Sequence, residues 1–266
     1  MKIQFVSDVH CEFHRDQGEW WAKNLPVRGD VLVLAGDIVT KHMAFPIIRI
    51  LAQRFPQIVY LCGNHEYYGS NRSAVNNALT KLQNQNRNFH WLNNRVVVID
   101  GQRFVGTTLW WDAPPSAYQT IRHMLSDFRT IQGYASWVSK ANQVAKLFLK
   151  ENVQEGDVVI THHAPTWQAC PPKSPAWGYG STADLDFQYA YYNNLDPLII
   201  EQKPKLWIFG HTHERFNQII EETLVTNSPY GYVNDKEDAR FDIYGVVNLE
   251  QAFLHTEYNS EPYDEH

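Results

Sequence analysis

Five short apolar runs in this chain each stop at a cluster of residue types that ligate metal ions, and few folds accommodate that pattern five times. Ile3-Gln4-Phe5-Val6-Ser7 runs into Asp8-Val9-His10, and Val31-Leu32-Val33-Leu34-Ala35 runs into Gly36-Asp37. Ile58-Val59-Tyr60-Leu61-Cys62 is followed by Gly63-Asn64-His65-Glu66. Val158-Val159-Ile160-Thr161 is followed by His162-His163, and Leu206-Trp207-Ile208-Phe209 by Gly210-His211-Thr212-His213. Runs this short and rich in β-branched residues read as buried strands, and the carboxyl ends of strands in an α/β sheet converge on one crevice. An isolated Asp-x-His or Gly-Asp is more often a turn than a site; five such clusters in series, spread over more than two hundred residues, point at one place.

The rest of the chain fits a layered α/β fold. Strands are expected at 2–7, 31–35, 58–62, 96–100, 103–109, 157–161, 206–210, 216–220, 223–227 and 243–249. Helices are expected at about 43–54, 71–85, 117–130, 135–151 and 187–201. The helix at 71–85 places Ala74, Ala78, Leu79 and Leu82 on one face, with Ser70 or Asn71 as its cap. Two stretches interrupt the alternation: a partly helical insertion at 111–137, and a Pro- and Gly-rich loop at 163–186 of a length that is more often functional than idle. Neither reads as a domain boundary, so residues 1–266 are expected to form one domain.

Composition sets outer limits. The chain is 44% apolar and 20% charged, the usage of an ordinary globular protein. A formal net charge of −6 disfavours nucleic-acid binding through phosphate contacts, which needs a basic face. It leaves anionic substrates open, because bound cations invert the local field. Cys11, Cys62 and Cys170 form neither a disulfide framework nor a zinc pattern, which suits a reducing compartment. The first residues are too polar for a secretory core, and no run approaches the roughly 18 apolar residues of a membrane helix, so a cytoplasmic protein without membrane partners is expected.

The ligand types suit first-row divalent ions. In an extended segment residues i and i+2 share a direction, so Asp8 with His10, and His211 with His213, can present paired ligands. A bridging carboxylate can hold two ions about 3.5–4 Å apart. The glycines before Asp37, Asn64 and His211 allow a sharp turn or close backbone approach at each strand end.

The series Asp8-x-His10, Gly36-Asp37, Gly63-Asn64-His65-Glu66, His162 and Gly210-His211-x-His213 resembles the calcineurin-like metallophosphoesterase superfamily, in its order and over residues 8–213. The resemblance implies a four-layer α/β/β/α sandwich with two mixed β-sheets and a dimetal site at one edge, the strand pairs after residue 213 completing the second sheet. It implies that Asp8, His10 and His213 hold one divalent ion, that Asn64, His162 and His211 hold the other, and that Asp37 bridges them. The ions would be two of manganese, iron, zinc or nickel. A metal-bridging hydroxide would be the nucleophile and His65 the general acid. His163 competes with His162 for the ligand role; the superfamily places the ligand directly at the strand end, which favours His162.

Departures narrow the branch. Gly36-Asp37-Ile38-Val39-Thr40-Lys41-His42 lacks the second Asp and the Arg of the Gly-Asp-x-x-Asp-Arg-Gly motif of the serine/threonine phosphatases, so a phosphoprotein phosphatase is the alternative rather than the first reading. Thr40 stands where the purple acid phosphatases have a Tyr ligand. What remains resembles small bacterial-type members acting on a small phosphorylated substrate, a phosphomonoester or a phosphodiester, cyclic nucleotides included. A non-catalytic, metal-stabilised scaffold on the same fold is a second class of function, but it would tolerate eroded ligand positions and none is eroded. A different dinuclear hydrolase would need a motif such as His-x-His-x-Asp-His, which the chain lacks.

Other residues carry weaker expectations. Glu66 is expected to orient a ligand or to begin a helix, Trp110, Trp111 and Asp112 to pack in the core or border the pocket, and Asp127 and Arg129 to lie on a solvated helix face, with a lid salt bridge as the alternative. Arg215 is read as a surface residue within reach of a substrate phosphate, and Thr226–Tyr232 as either a strand-to-turn connection or a site wall.

Overall fold

A computed structural model describes residues 1–40, 44–170, 182–233 and 245–251. Part of the loop expected at 163–186 and the start of the strand expected at 243–249 lie outside the described residues. Eleven strands and eight α-helices alternate along the described chain. The first sheet has the order β11-β1-β2-β3-β4, from β1 (Lys2–Val6), β2 (Val31–Ala35), β3 (Gln57–Leu61), β4 (Phe89–Trp91) and β11 (Val246–Asn248). The second has the order β5-β6-β7-β8-β10-β9, from β5 (Arg95–Ile99), β6 (Gln102–Thr107), β7 (Val158–Thr161), β8 (Leu206–Phe209), β9 (Asn217–Ile220) and β10 (Thr223–Asn227). In the first sheet β1 to β4 are parallel and β11 is antiparallel. In the second β6, β7, β8 and β10 are parallel, with antiparallel β5 and β9 at the edges.

Alternation along the strands builds the layers, because successive side chains face opposite sides of a sheet. Ile3, Phe5, Val31, Val33, Val59 and Leu61 pack against Phe104, Val158, Ile160, Leu206 and Ile208 between the sheets. The outer face of the first sheet (Leu32, Leu34, Ile58, Tyr60) is covered by α1 (Glu19–Asn24), α2 (Ala44–Arg54) and α3 (Arg72–Gln85). The same cluster takes in α4 (Tyr118–Met124) and the first turns of α6 (Val138–Asn152). The outer face of the second sheet (Val105, Val159, Trp207, Val225) is covered by the rest of α6 and by α8 (Asp196–Gln202). The result is the expected α/β/β/α sandwich of two mixed sheets.

Four details differ from expectation. The strand after residue 243 pairs with β1 in the first sheet, so only β9 and β10 complete the second. Sequence patterning misses β4 and α1, which span three and six residues and are too short to show a period. The helix expected at 117–130 is broken at Leu125, with α5 (Asp127–Thr130) following. The helix expected at 187–201 is two helices, α7 (Thr182–Gln188) and α8, and Pro197 in the first turn of α8 marks the restart. On α3 the buried residues are Val75, Leu79 and Leu82, while Ala74 and Ala78 are half-buried, and the Asn71 side chain accepts from the Ala74 backbone N–H at 2.9 Å as the cap. No helix among the described residues is long and apolar enough to cross a membrane.

Candidate metal centre

The five strand ends meet at one edge of the sandwich, three from the first sheet (β1, β2, β3) and two from the second (β7, β8). Their loops interlock through the backbone. Asp8 N–H donates to Gly36 C=O at 3.0 Å, His10 N–H to Asp37 C=O at 3.0 Å, and Gly210 N–H to His162 C=O at 2.9 Å. Side chains add cross-links: His211 N–H donates to Asp8 Oδ1 at 2.9 Å, and His65 N–H to Asp37 Oδ1 at 2.8 Å.

The backbone of the expected ligands is not extended, contrary to the i, i+2 expectation. Asp8, His10, Asp37, His211 and His213 all have positive φ, from 49° to 71°. Non-glycine residues rarely adopt this left-handed region, and such strain persists where surrounding structure over-determines it. Asp8 and His10 still face one point, whereas His211 and His213 are separated into different clusters. The glycines serve close approach as expected: a Cβ on Gly63 would overlap Asp37 Oδ1 and the His162 ring, and Gly36 combines a φ of 89° with the same proximity to His162.

Three groups of donor atoms could each hold an ion: Asp8, His10 and His213; Asp37, His162 and His211; and His10, Asp37 and His65. In the first, His10 Nε2 and His213 Nε2 face each other at 3.0 Å and His213 Nε2 lies 3.5 Å from Asp8 Oδ1. In the second, His162 Nε2 lies 3.3 Å from Asp37 Oδ2 and 3.2 Å from Asn64 Oδ1, while its Nδ1 is held 2.9 Å from Ala35 C=O. All seven residues expected as ligands are thus brought together. Two carboxylates, one amide oxygen and imidazole nitrogens converging in this way fit first-row divalent cations. The electrostatics fit as well. Burial works against a charged His162, yet the Asp37 carboxylate overrides it and holds the ring up at about 9. Burial likewise works against Asp8, but hydrogen bonding and charge from His213 bring it down to about 2. Two ionised carboxylates that draw a proton onto a buried imidazole create the demand a cation would meet.

His163 lies behind this cluster rather than in it. Its Nδ1 is 3.3 Å from Thr108 C=O, its ring is tilted against His211 at 4.1 Å, and burial pushes its pKa well below the usual value. His65 sits beside the first group, its ring stacked on Tyr68 at 4.1 Å and edge-on to His10 at 4.4 Å.

Two carboxylates hold the parts of the centre in place, and sequence reasoning missed the first of them. Glu12 accepts from His65 Nδ1 at 2.8 Å, and although burial opposes its charge, His10 and His65 bring it down to about 2. The available signal was its place two residues beyond His10. Glu66 lies in the 3-10 turn His65–Tyr67 and also staples the loops that carry Asp37 and Gly63, so both expectations for it meet. Its carboxylate accepts the backbone N–H groups of Asp37 (3.0 Å), Ile38 (2.9 Å), Val39 (3.4 Å) and Gly63 (2.6 Å), together with the Tyr60 hydroxyl (2.8 Å). Burial pushes Glu66 up to about 7, and Asp37 adds to that push, against five donors that favour its charged form.

The remaining expectations divide. Trp110 and Trp111 are core residues, packed with Tyr134 and other aromatics, and Asp112 pairs with Lys146 at 2.5 Å. Asp127 is not on a solvated face: it is fully buried and hydrogen-bonded to Asn64 and Tyr68. Arg129 is exposed, as expected, and donates to His123 C=O at 2.9 Å, and Arg215 is exposed as well. Thr226–Tyr232 forms a wall of the site. Tyr230 and Gly231 donate to Ser7 and Asp8 C=O, and the Tyr232 ring stacks on His10 at 4.4 Å.

Comparison with known proteins agrees with this geometry. An uncharacterized protein of Acanthamoeba polyphaga mimivirus is 23% identical over 284 residues, spanning 95% of this chain and 98% of its own. A phosphopantetheinyl hydrolase from Mycobacterium tuberculosis superposes with a TM-score of 0.72 at 13% identity, over 92% of this chain and 93% of that one. TT1561 of Thermus thermophilus does so with a TM-score of 0.54 at 14% identity, over 93% and 98%. At these identities the structural likeness is one of fold. The model of the calcineurin-like phosphoesterases matches residues 1–215, a span that includes all five strand-end clusters, and the chain belongs to that family.

Proposed function

We propose that this protein is a dinuclear metal-dependent phosphoesterase that hydrolyses a small phosphomonoester or phosphodiester, with His65 as general acid. The observation that carries this reading is the convergence of two donor groups that share the edge of both sheets, with a carboxylate-tethered histidine beside them. Asp8, His10 and His213 would hold one ion, Asn64, His162 and His211 the other, and Asp37 both. When bound, divalent cations supply Lewis-acid stabilisation of phosphoryl charge and make water a nucleophile at neutral pH.

The chain's own residues do the rest. Glu12, ionised and acceptor-only, fixes the His65 Nδ1–H, which leaves Nε2 to carry the transferable proton. Burial disfavours a charged His65, but the Asp37 and Glu12 carboxylates raise its pKa, so the protonated ring is accessible near neutral pH. As the ester P–O bond breaks, that proton passes from Nε2 to the departing oxygen. Tyr68 stacks on the ring, and Phe13 and Tyr232 stand 6.4 Å from it, so the leaving group meets an aromatic wall that limits water.

The test is hydrolysis of p-nitrophenyl phosphate and bis-p-nitrophenyl phosphate with manganese, with and without chelator. Turnover that disappears on chelation is expected. No turnover of either ester with manganese, zinc, iron, nickel or cobalt overturns the proposal, and the ratio of the two rates assigns monoester or diester preference.

A further inference from the structure

We infer that Asp127, supplied by the segment 111–137, is the positioning residue that decides which end of the Asn64 amide faces the metal centre; the inference rests on the reading of Asn64 as a ligand. An amide side chain has one end that can ligate a cation, its oxygen, and one that cannot, its NH2. The two ends are almost the same size, so packing alone does not choose between them, and only hydrogen-bond partners do.

Here the partners choose. Asn64 Nδ2 lies 3.0 Å from Asp127 Oδ1 and 3.3 Å from the Tyr68 hydroxyl oxygen. A carboxylate only accepts, so the amide end that faces it must be NH2. The Tyr68 hydroxyl donates its proton to the same Asp127 oxygen at 2.8 Å, so it too presents a lone pair to Asn64. The opposite end of the amide, Oδ1, is thereby aimed 3.2 Å from His162 Nε2, the nitrogen that also approaches Asp37 Oδ2. Turning the amide over would set NH2 toward the ligand nitrogens and the oxygen against a carboxylate.

The geometry is held by the backbone. Asp127 is fully buried, and the chain just after it is tied twice to the loop that carries Asn64: Gly69 N–H donates to Thr130 C=O at 3.0 Å and Gln132 N–H to Ser70 C=O at 2.9 Å. Asp127 opens α5 just after the break at Leu125, and it is buried there. The segment 111–137 thus reaches the centre through one hydrogen bond without contributing a ligand.

The experiment titrates manganese alone into wild-type protein, Asp127→Asn and the exchange Asn64→Asp with Asp127→Asn, by calorimetry, with thermal melts to confirm folding. At position 127 an amide can present either end, so it no longer dictates the orientation of Asn64. One of two binding events is expected to weaken about 10- to 100-fold, the usual cost of losing a group that orients a ligand. In the exchange, the amide at 127 donates to one oxygen of the carboxylate at 64 and leaves the other facing His162, so that event is expected to recover. A purely structural role for Asp127 would not be rescued in this way. Wild-type affinity in folded Asp127→Asn, or an exchange variant that binds no better than Asp127→Asn, overturns the inference. If Asp127→Asn melts far below wild type, the exchange variant, which restores a hydrogen bond between the two positions, is read alone: two events of near wild-type affinity support the inference, and loss of one of them overturns it. Wild-type protein that binds no manganese overturns the metal-centre reading itself and the inference with it, a result distinct from an intact centre indifferent to position 127.

Discussion

At His65 the proposed chemistry depends on a ring held from both sides, by the Tyr68 face at 4.1 Å and by Glu12 Oε1 at 2.8 Å. These contacts lead to separable expectations. His65→Ala removes the proton donor but none of the seven proposed ligands, so kcat is expected to fall about 10²- to 10⁴-fold while manganese stoichiometry stays unchanged. Rates and metal content measured on one preparation check this, and full activity would remove His65 from the mechanism. Glu12→Gln keeps the shape but not the charge. A smaller loss in kcat with little change in KM is expected, because the amide can still accept from Nδ1 but no longer stabilises the protonated ring. His65 was legible in the sequence because it adjoins Asn64 at a strand end. Its partner was not, since Glu12 lies 53 positions away and only the fold brings the two together.

The elements show a division between the two ends of the strands. At the carboxyl ends, Glu66 satisfies four backbone N–H groups from the loops after β2 and β3, and so sets the position from which Asp37 projects. Glu66→Gln would turn an NH2 toward some of those donors, and each buried donor left unpaired costs about 1–3 kcal/mol. A lower urea midpoint with unchanged slope is expected, together with weaker metal binding. At the amino ends, Arg103 Nε donates to the buried Asp157 at 2.8 Å, at the end of β7 opposite to His162. Arg103 is partly exposed, so Asp157→Asn is expected to cost only about 1–2 kcal/mol and to leave kcat alone. An equal loss of activity in both variants would contradict the division. The strands that carry the proposed ligands were readable because they are continuous apolar runs buried on both faces, as in β2 (Val31–Ala35). The helices were less so: α4 and α5 share one polar-apolar pattern, which contains neither the break at Leu125 nor the buried Asn64–Asp127 hydrogen bond beside it.

Across the whole molecule, each proposed ion would join the two sheets. Asp8 and His10 follow a strand of the first sheet and His213 follows one of the second; Asp37 and Asn64 follow the first, His162 and His211 the second. Apolar packing between the sheets is non-directional, and Ile3, Phe5 and Val33 against Phe104, Ile160 and Ile208 would tolerate small sliding. Donor atoms from both sides of that seam would fix it, and their positive-φ backbone is a strain that ligation would offset. Ions that bind only the folded chain raise its stability by mass action, about 2.7 kcal/mol at a hundredfold excess over Kd. For a chain of this size that corresponds to a rise of roughly 5–10 °C in Tm. Manganese is therefore expected to raise Tm of the wild type by that order and chelator to reverse it. His65→Ala should show the same shift, since it lies beside the ions rather than between sheets. His162→Ala, which removes a ligand from the second sheet, should show a smaller one. A melting temperature indifferent to manganese in the wild type would mean that the seam is held by packing alone, and that the convergence of five strand ends does not make a metal site.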